Sequence, residues 1–349
     1  MDYKSIIDDI VWWIPFKKLR NNIRNKINKD IDIHINNLME EKLNNINNLI
    51  EEKLNNVNYN INSLIHINNL EKLNNITESI SYRIRKTTPQ PYLYVVDFHI
   101  AEHCNLNCYS CSNFSQLAEE EYIDIETFYK DVHRLYELTK GLIKEIHIIG
   151  GEPLLNKQCE EYFKIVRTFF KTNILQLWTN GILLLKKEDK FWQSCKNNDV
   201  EIVITKYPIK LDFNEIEKKA NEFDVKIKYT NPDGEKKSWK FILDDKRKND
   251  GFYNFTTCVM ANTCVSIKKG KMYTCAFVPN IEHYNKYFNK NLEVTELDYL
   301  DIYKINSYKE ILEFLSKPIP FCEYCNVEKW KTLESWKSSK KTIEEYSDD

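Results

Sequence analysis

The sequence predicts an α/β protein built on a parallel sheet, and three observations carry that prediction. Strand-like runs end near Ile100, Ile149, Trp178, Thr205 and Tyr229. Helix-like runs lie between them, at residues 125–139, 157–171, 187–197 and 214–223. A strand–helix–strand order repeated in this way closes through right-handed crossovers into a parallel sheet. The third observation is placement. The residue clusters able to carry chemistry follow the strand-like runs directly, at the carboxyl ends where such sheets build their sites.

The first element is a short apolar and aromatic segment, residues 1–28. Ile6, Ile7, Ile10, Val11, Trp12, Trp13 and Ile14 precede Phe16-Lys17-Lys18-Leu19-Arg20, with Arg24 and Lys26 beyond. Apolar residues beside a basic cluster suit a membrane interface or a docking helix. The opening is similar to that of bacterial proteins of surface-polysaccharide assembly, which implies a substrate in cell-surface glycan modification. Residues 29–88 are a helical coil. No glycine or proline occurs between residues 16 and 88, and asparagine is abundant. Residues 36–46 are copied at 47–57 and, shortened, at 68–76. The repeat of 11 places Leu38, Leu43, Ile46, Leu49, Leu54 and Val57 on one stripe, the period of a long helix with slight right-handed supercoil. Asparagine is a poor helix former, so the coil either packs on a partner, as an oligomerisation element, or is a loosely helical low-complexity segment.

The third element is the strand-like run 94–100, and the loop after it holds Cys104-Asn-Leu-Asn-Cys108-Tyr-Ser-Cys111. Three thiolates from one short loop leave one iron of an iron–sulfur cube open. The alternative is a structural zinc knot, which closes with four ligands. His103 is adjacent to Cys104 and poorly placed to share its metal. The fourth element, 143–149, ends in Gly150-Gly151-Glu152-Pro153. Two glycines at a strand end leave backbone groups uncovered. Carbonyls and Glu152 can face an ammonium there, and N–H groups a carboxylate. The fifth ends in Thr179-Asn180-Gly181, the sixth in Thr205-Lys206-Tyr207-Pro208.

These motifs, in this order, resemble those of the radical S-adenosylmethionine (SAM) enzymes. The resemblance covers residues 92 to 335. It implies a partial (β/α)6 barrel of the TIM type, with an open side toward a large substrate. It implies a [4Fe–4S] cluster on Cys104, Cys108 and Cys111, with SAM on the open iron. Gly150, Gly151, Glu152, Pro153, Thr179, Asn180 and Thr205 are then the SAM-side residues. The implied chemistry is one-electron cleavage of SAM to methionine and a 5′-deoxyadenosyl radical, which abstracts hydrogen from a substrate. An electron donor such as flavodoxin or ferredoxin is implied with it. The sequence departs from the family at Ser110, where an aromatic residue often seats the adenine; Tyr109 is its neighbour.

The C-terminal third adds five patterned cysteines. Cys258 and Cys264 precede a predicted hairpin that turns at Lys268-Lys269-Gly270 and returns to Cys275; Cys322 and Cys325 follow as a CxxC pair. This resembles the SPASM or twitch extension of radical SAM enzymes, which implies a second, auxiliary [4Fe–4S] cluster on Cys258, Cys275, Cys322 and Cys325, with Cys264 as alternate for the first place. Paired cysteines also suit zinc. Cys159 and Cys195 fall on predicted helices as buried thiols.

The expected organisation is 1–28, 29–88, a SAM core at 89–245, an auxiliary domain at 246–335 and a polar tail at 336–349. The 349 residues carry 10 cysteines and a net charge of −2. That charge gives no argument for nucleic acid. Most of the cysteines sit in metal-type spacings, which argues against a disulfide framework and for a reducing, cytoplasmic setting, with peripheral contact at the inner face of the membrane as an alternative. No secretory leader or membrane span is expected. The expected substrate is a sugar or other small molecule. The alternatives are a peptide maturase, or a zinc-stabilised coiled-coil interaction protein without catalysis.

Overall fold

The protein was analysed as a computed structural model, which describes residues 3–348 except Trp13 and Pro91. The side chains of Ser5 and of residues 62–64, 66–68, 70 and 74 lie outside the description. The apolar opening is therefore described without Trp13, and the shortened third repeat only in part.

Two units are distinguished, Met1–Ser79 and Ile80–Asp349. The first holds helix α1 (Tyr3–Val11) and most of helix α2 (Lys17–Thr87). α1 buries Ile7 and Val11, and Asp8 pairs with Arg24 at the start of α2. α2 runs 71 residues, about 105 Å at the α-helical rise. The predicted stripe is helical, and all six of its members are exposed, Leu43 at 59%. Among the described residues, no helix is long and apolar enough to cross a membrane.

The second unit begins with the last turns of α2 and holds an eight-stranded sheet. Strands β1 (Leu93–His99), β2 (Ile143–Ile149), β3 (Ile174–Thr179), β4 (Val200–Ile204) and β5 (Ile227–Tyr229) pair in sequence order, all parallel. Helices α3 (Ile125–Thr139), α4 (Cys159–Phe169), α5 (Asp189–Asn197) and α6 (Phe213–Glu222) are the crossovers. The expected alternation is thus present with five strands and four helices. The sixth parallel strand does not follow β5. After the short β6 (Trp239–Lys240) and α7 (Gly251–Thr257), strand β7 (Ser266–Lys268) joins the opposite edge, parallel to β1. β8 (Lys271–Tyr273) and β9 (Leu300–Asp301) extend that edge antiparallel. α8 (Ile281–Phe288), α9 (Tyr308–Leu315) and β10 (Lys331–Thr332), which pairs with β6, complete the unit.

The β7–β8 hairpin turns at Lys269 and Gly270, both with positive φ, as a two-residue hairpin turn requires. A side chain at Gly270 would also strike the Tyr303 ring, 2.6 Å away.

The sheet has two unlike faces, set by the period of two along each strand. Val96, Phe98, Ile146, Ile148, Leu175, Leu177, Ile202 and Ile204 share one buried core with residues of α3–α6, Phe128, Phe163 and Trp192 among them. Cys159 and Cys195 lie in that core, fully buried, as expected of inert thiols. The alternate positions carry Asp97, His147, Gln176 and Glu201, which are register neighbours across four strands.

Candidate active site

The site is built at the carboxyl edge of the parallel strands. The loop leaving β1 carries Cys104, Cys108 and Cys111 against a cavity of about 210 Å³. Gly151, Tyr207, Lys236, Trp239, Phe241 and Trp336 share its wall. Donors already point at the sulfurs. Leu106 N–H lies 3.3 Å from Cys104 Sγ, and Trp336 Nε1–H lies 3.4 Å from Cys108 Sγ. The Tyr207 hydroxyl also hydrogen-bonds Cys108. Burial pushes the Cys108 thiol up to about 11, with Cys111 adding to the rise, and burial raises Cys104 and Cys111 as well. Bare, these thiols are protonated at neutral pH, so a metal centre must displace their protons to bind.

A tetrahedral zinc with sulfur ligands at about 2.3 Å draws those sulfurs to roughly 3.8 Å of one another. Among the described residues no three cysteine sulfurs lie mutually within 4.8 Å; the one group that does is Glu102, Glu282 and His283. That group already has a cation, because the Lys268 ammonium contacts Glu102 at 2.8 Å and Glu282 at 3.0 Å.

Gly150, Gly151 and Glu152 have a more structural role than the sequence suggested. Gly151 N–H donates to Ala101 O at 2.8 Å and Glu152 N–H to His103 O at 3.1 Å. A Cβ at Gly150 would lie 2.2 Å from Ala101 O, and one at Gly151 2.2 Å from His103 O. The glycines thus let β2's exit lie flush on the cysteine loop, and the Gly151 and Glu152 N–H groups bind that loop. Glu152 is fully buried, and its carboxylate accepts from Leu154 N at 3.0 Å, Thr179 Oγ1 at 2.7 Å and Asn180 N at 2.9 Å. Burial, opposed by these donors, raises its pKa. Pro153 starts the turn that follows. Asn180 reaches back to Asn105 Oδ1 at 2.7 Å and lies 3.8 Å from Cys104 Sγ. Three strand exits are therefore knitted into one frame under the cysteine loop. Thr205 stands apart: its N–H donates to Thr179 O, its hydroxyl accepts from Thr230 at 3.2 Å, and the cavity wall here is Tyr207 instead.

Ser110 is small for a reason visible in the packing. It is buried with φ +50°, and its hydroxyl accepts from Phe241 N at 3.0 Å. The aromatic walls come from elsewhere, Trp239 and Phe241 stacked with centroids 5.8 Å apart, and Trp336.

The segment expected to be a polar tail is instead a strap over the cysteine loop. Tyr109 N–H donates to Lys337 O at 3.0 Å, and Ser339 N–H to Asn107 O at 2.7 Å. Ser110 N–H donates to Glu345 Oε2 at 3.2 Å, and the Tyr346 hydroxyl to Cys111 O at 2.9 Å. Tyr346 and Glu345 are buried. Polar composition suggested a solvated end, but these polar groups are matched to backbone groups of the loop.

The second cysteine group is gathered from three segments. Cys258, Cys275, Cys322 and Cys325 line one small apolar cavity with Phe277, Phe321 and Trp330. Cys264 lies outside that lining, though near Cys258 and Cys275. Asn254 of α7 holds the CxxC turn by donating to Cys322 O at 2.9 Å and Cys325 O at 2.6 Å.

A third cavity, of about 410 Å³, abuts the polar face of the sheet. Glu145 and His147 line it from β2, Tyr82 and Arg85 from α2, and Asn262 and Thr263 from the cysteine-rich segment. His147 lies 2.9 Å from Asp97, and its ring is tilted against that of Trp178 with centroids 5.0 Å apart.

Fold and cysteine loop together define the core of an iron–sulfur enzyme. Residues 95–220 match the family model described as the 4Fe-4S single cluster domain. The chain is 34% identical over 94 residues to a GTP 3′,8-cyclase of Aliarcobacter butzleri, covering 26% of this chain and 28% of that protein. It is 31% identical over 86 residues to a probable GTP 3′,8-cyclase of Pyrococcus abyssi, covering 24% and 26%. The chain thus spans little more than a quarter of the length of these curated relatives. Among solved structures, BtrN in complex with AdoMet and 2-DOIA is similar over 68% of this chain and 94% of its own, at 14% identity and a TM-score of 0.43. Native anSMEcpe with bound AdoMet and a Cp18Cys peptide covers 40% and 42%, at 19% identity and a TM-score of 0.31. Over residues 95–220 the chain is thus similar to an iron–sulfur cluster domain.

Proposed function

We propose that the protein uses a [4Fe–4S] cluster on Cys104, Cys108 and Cys111 to cleave SAM reductively and abstract hydrogen from a small polar substrate. One observation carries this: three cysteines of one loop stand beside an aromatic-walled cavity at the carboxyl edge of a parallel sheet. When bound, the cluster supplies one electron to the sulfonium, giving methionine and a 5′-deoxyadenosyl radical. The chain's own residues do the rest. Gly150, Gly151 and Glu152 hold the loop's floor. Thr179 and Asn180 tie it to β3. Lys236, within electrostatic reach of Cys108 and Cys111, offers a cation to the SAM carboxylate. Trp239, Phe241 and Trp336 wall the adenine side in place of an aromatic residue at 110.

Cys258, Cys275, Cys322 and Cys325 would hold an auxiliary cluster; their shared cavity favours Cys258 over Cys264 for the first place. The cavity against the polar sheet face suits a sugar or similar polyhydroxylated molecule. Tyr82 and Tyr92 offer apolar ring faces there, and Glu145, His147, Asn262 and Thr263 offer hydrogen bonds to hydroxyls. A peptide substrate is the second reading. Exposed Trp12 and Phe16 beside Lys17, Lys18 and Arg20 support peripheral contact with an anionic membrane. The exposed α2 stripe, with a Glu-Glu-Lys in each full repeat, supports pairing with a second copy.

The test is anaerobic. Reconstituted protein should hold about eight iron and eight sulfide per chain, and with dithionite and SAM should release 5′-deoxyadenosine. Cys108→Ala should abolish that release, and Cys322→Ala should leave it largely intact while stopping substrate turnover. Zinc alone, or 5′-deoxyadenosine from the Cys108 variant, overturns the assignment.

A further inference from the structure

Two lysines of the second unit are deeply buried, and they are not alike. Lys268 is 7% exposed and sits between two carboxylates, Glu102 and Glu282. Lys86, in the last turn of α2, is 3% exposed. Its ammonium donates to the backbone carbonyl of Cys258 and lies 4.5 Å from the centre of the Tyr82 ring. The Tyr82 hydroxyl donates to the same carbonyl at 3.2 Å. Burial lowers its pKa, opposed by the nearby Cys258, Cys264, Cys322 and Cys275. Among the described residues, no ion pair joins Lys86 to a carboxylate.

A buried ammonium without a counter-charge is costly. A carbonyl and a ring face solvate it in part but do not neutralise it. Protonated cysteines supply no charge either. As ligands of a cluster they are thiolates, and a [4Fe–4S] centre with four thiolates is a net anion. We propose that Lys86 is the built-in counter-ion of the auxiliary cluster held by Cys258, Cys275, Cys322 and Cys325, and that its charge sets that cluster's reduction potential. This rests on the auxiliary cluster proposed above. The physical sign is fixed. Reduction adds negative charge to an already anionic centre, so a nearby cation favours the reduced form and raises the potential. The end of a helix of 71 residues thereby reaches a redox centre some 170 residues downstream, the separation of Lys86 and Cys258 being 172.

The experiment is redox potentiometry followed by electron paramagnetic resonance on the reconstituted full chain. The cluster at Cys104, Cys108 and Cys111 serves as internal control. In Lys86→Met the auxiliary midpoint should fall while the control midpoint stays put. Lys86→Arg should hold the auxiliary midpoint near the parent value. Tyr82→Phe removes a hydrogen bond but no charge and should shift it far less than Lys86→Met. An unmoved auxiliary midpoint in Lys86→Met overturns the inference. If Lys86→Met cannot hold the second cluster, iron counting decides. Four irons retained in Lys86→Met and Lys86→Gln against eight in Lys86→Arg supports a required charge; four in all three shows a packing role and overturns it. A parent protein with only four irons sinks the auxiliary cluster itself, a different result from either.

Discussion

Glu201 shows how single residues set the character of the open sheet face. Burial pushes its carboxyl up, but Lys228 at 2.6 Å and Gln176 at 3.1 Å outweigh that, and the net pKa is lowered. A carboxylate whose folded pKa lies below its unfolded value, about 4.3, stabilises the fold above that pH. The contribution fades as pH falls through the folded value. Glu201→Gln should therefore cost about 1 kcal/mol near neutrality, the pair being partly screened at the half-exposed Lys228. The deficit should vanish in acid, as measured by denaturant melts across pH. A deficit independent of pH would mean that shape rather than charge matters there. His147 belongs to the same face. Its replacement by Ala should leave 5′-deoxyadenosine release in place and lower product formation at least tenfold, if the cavity it lines receives the substrate. The cysteine positions were legible because their spacing is local. Tyr207, Lys236, Trp239 and Trp336 were not, because they reach one cavity from segments far apart in the chain. The only hint was that Trp336 is a lone large aromatic residue in an otherwise polar stretch.

At the scale of elements, the strand–helix alternation predicted the sheet well, since each crossover helix has its own apolar stripe. It could not predict that β7 joins β1. That pairing joins residues 97 and 266, and no local period encodes so long a closure. The strap was missed for the opposite reason. Hydrogen bonds between polar side chains and a distant backbone leave no hydrophobic signature. The strap makes a specific prediction. Removing residues 336–349 takes away Trp336, Glu345 and Tyr346 together, and the loop at 104–111 loses donors and acceptors on one whole side. Iron per chain should fall from about eight to about four, with the second site keeping its cluster. The single change Tyr346→Ala should cost roughly 3–5 kcal/mol, the range for emptying a large buried aromatic site. A truncated chain that keeps both clusters would show the strap to be dispensable.

At the scale of the whole molecule, the chain couples a long polar helix to a compact redox unit. The six apolar residues of the α2 stripe are exposed, and the proposed pairing with a second copy would cover them. Replacing Leu43 and Leu54 by Asn should shift the protein to a lower mass in sedimentation velocity, without altering iron content. An unchanged mass would leave the stripe without a partner copy. One further consequence follows from the strap. The Tyr346 hydroxyl and the Cys111 carbonyl it grips are separated by 235 positions. During synthesis the cysteines emerge first and wait, half framed, until nearly the last residue described here has cleared the ribosome. The frame around the loop at 104–111 is thereby complete only once Tyr346 has reached it, and a product terminated before that residue would lack this grip on the first cysteine site.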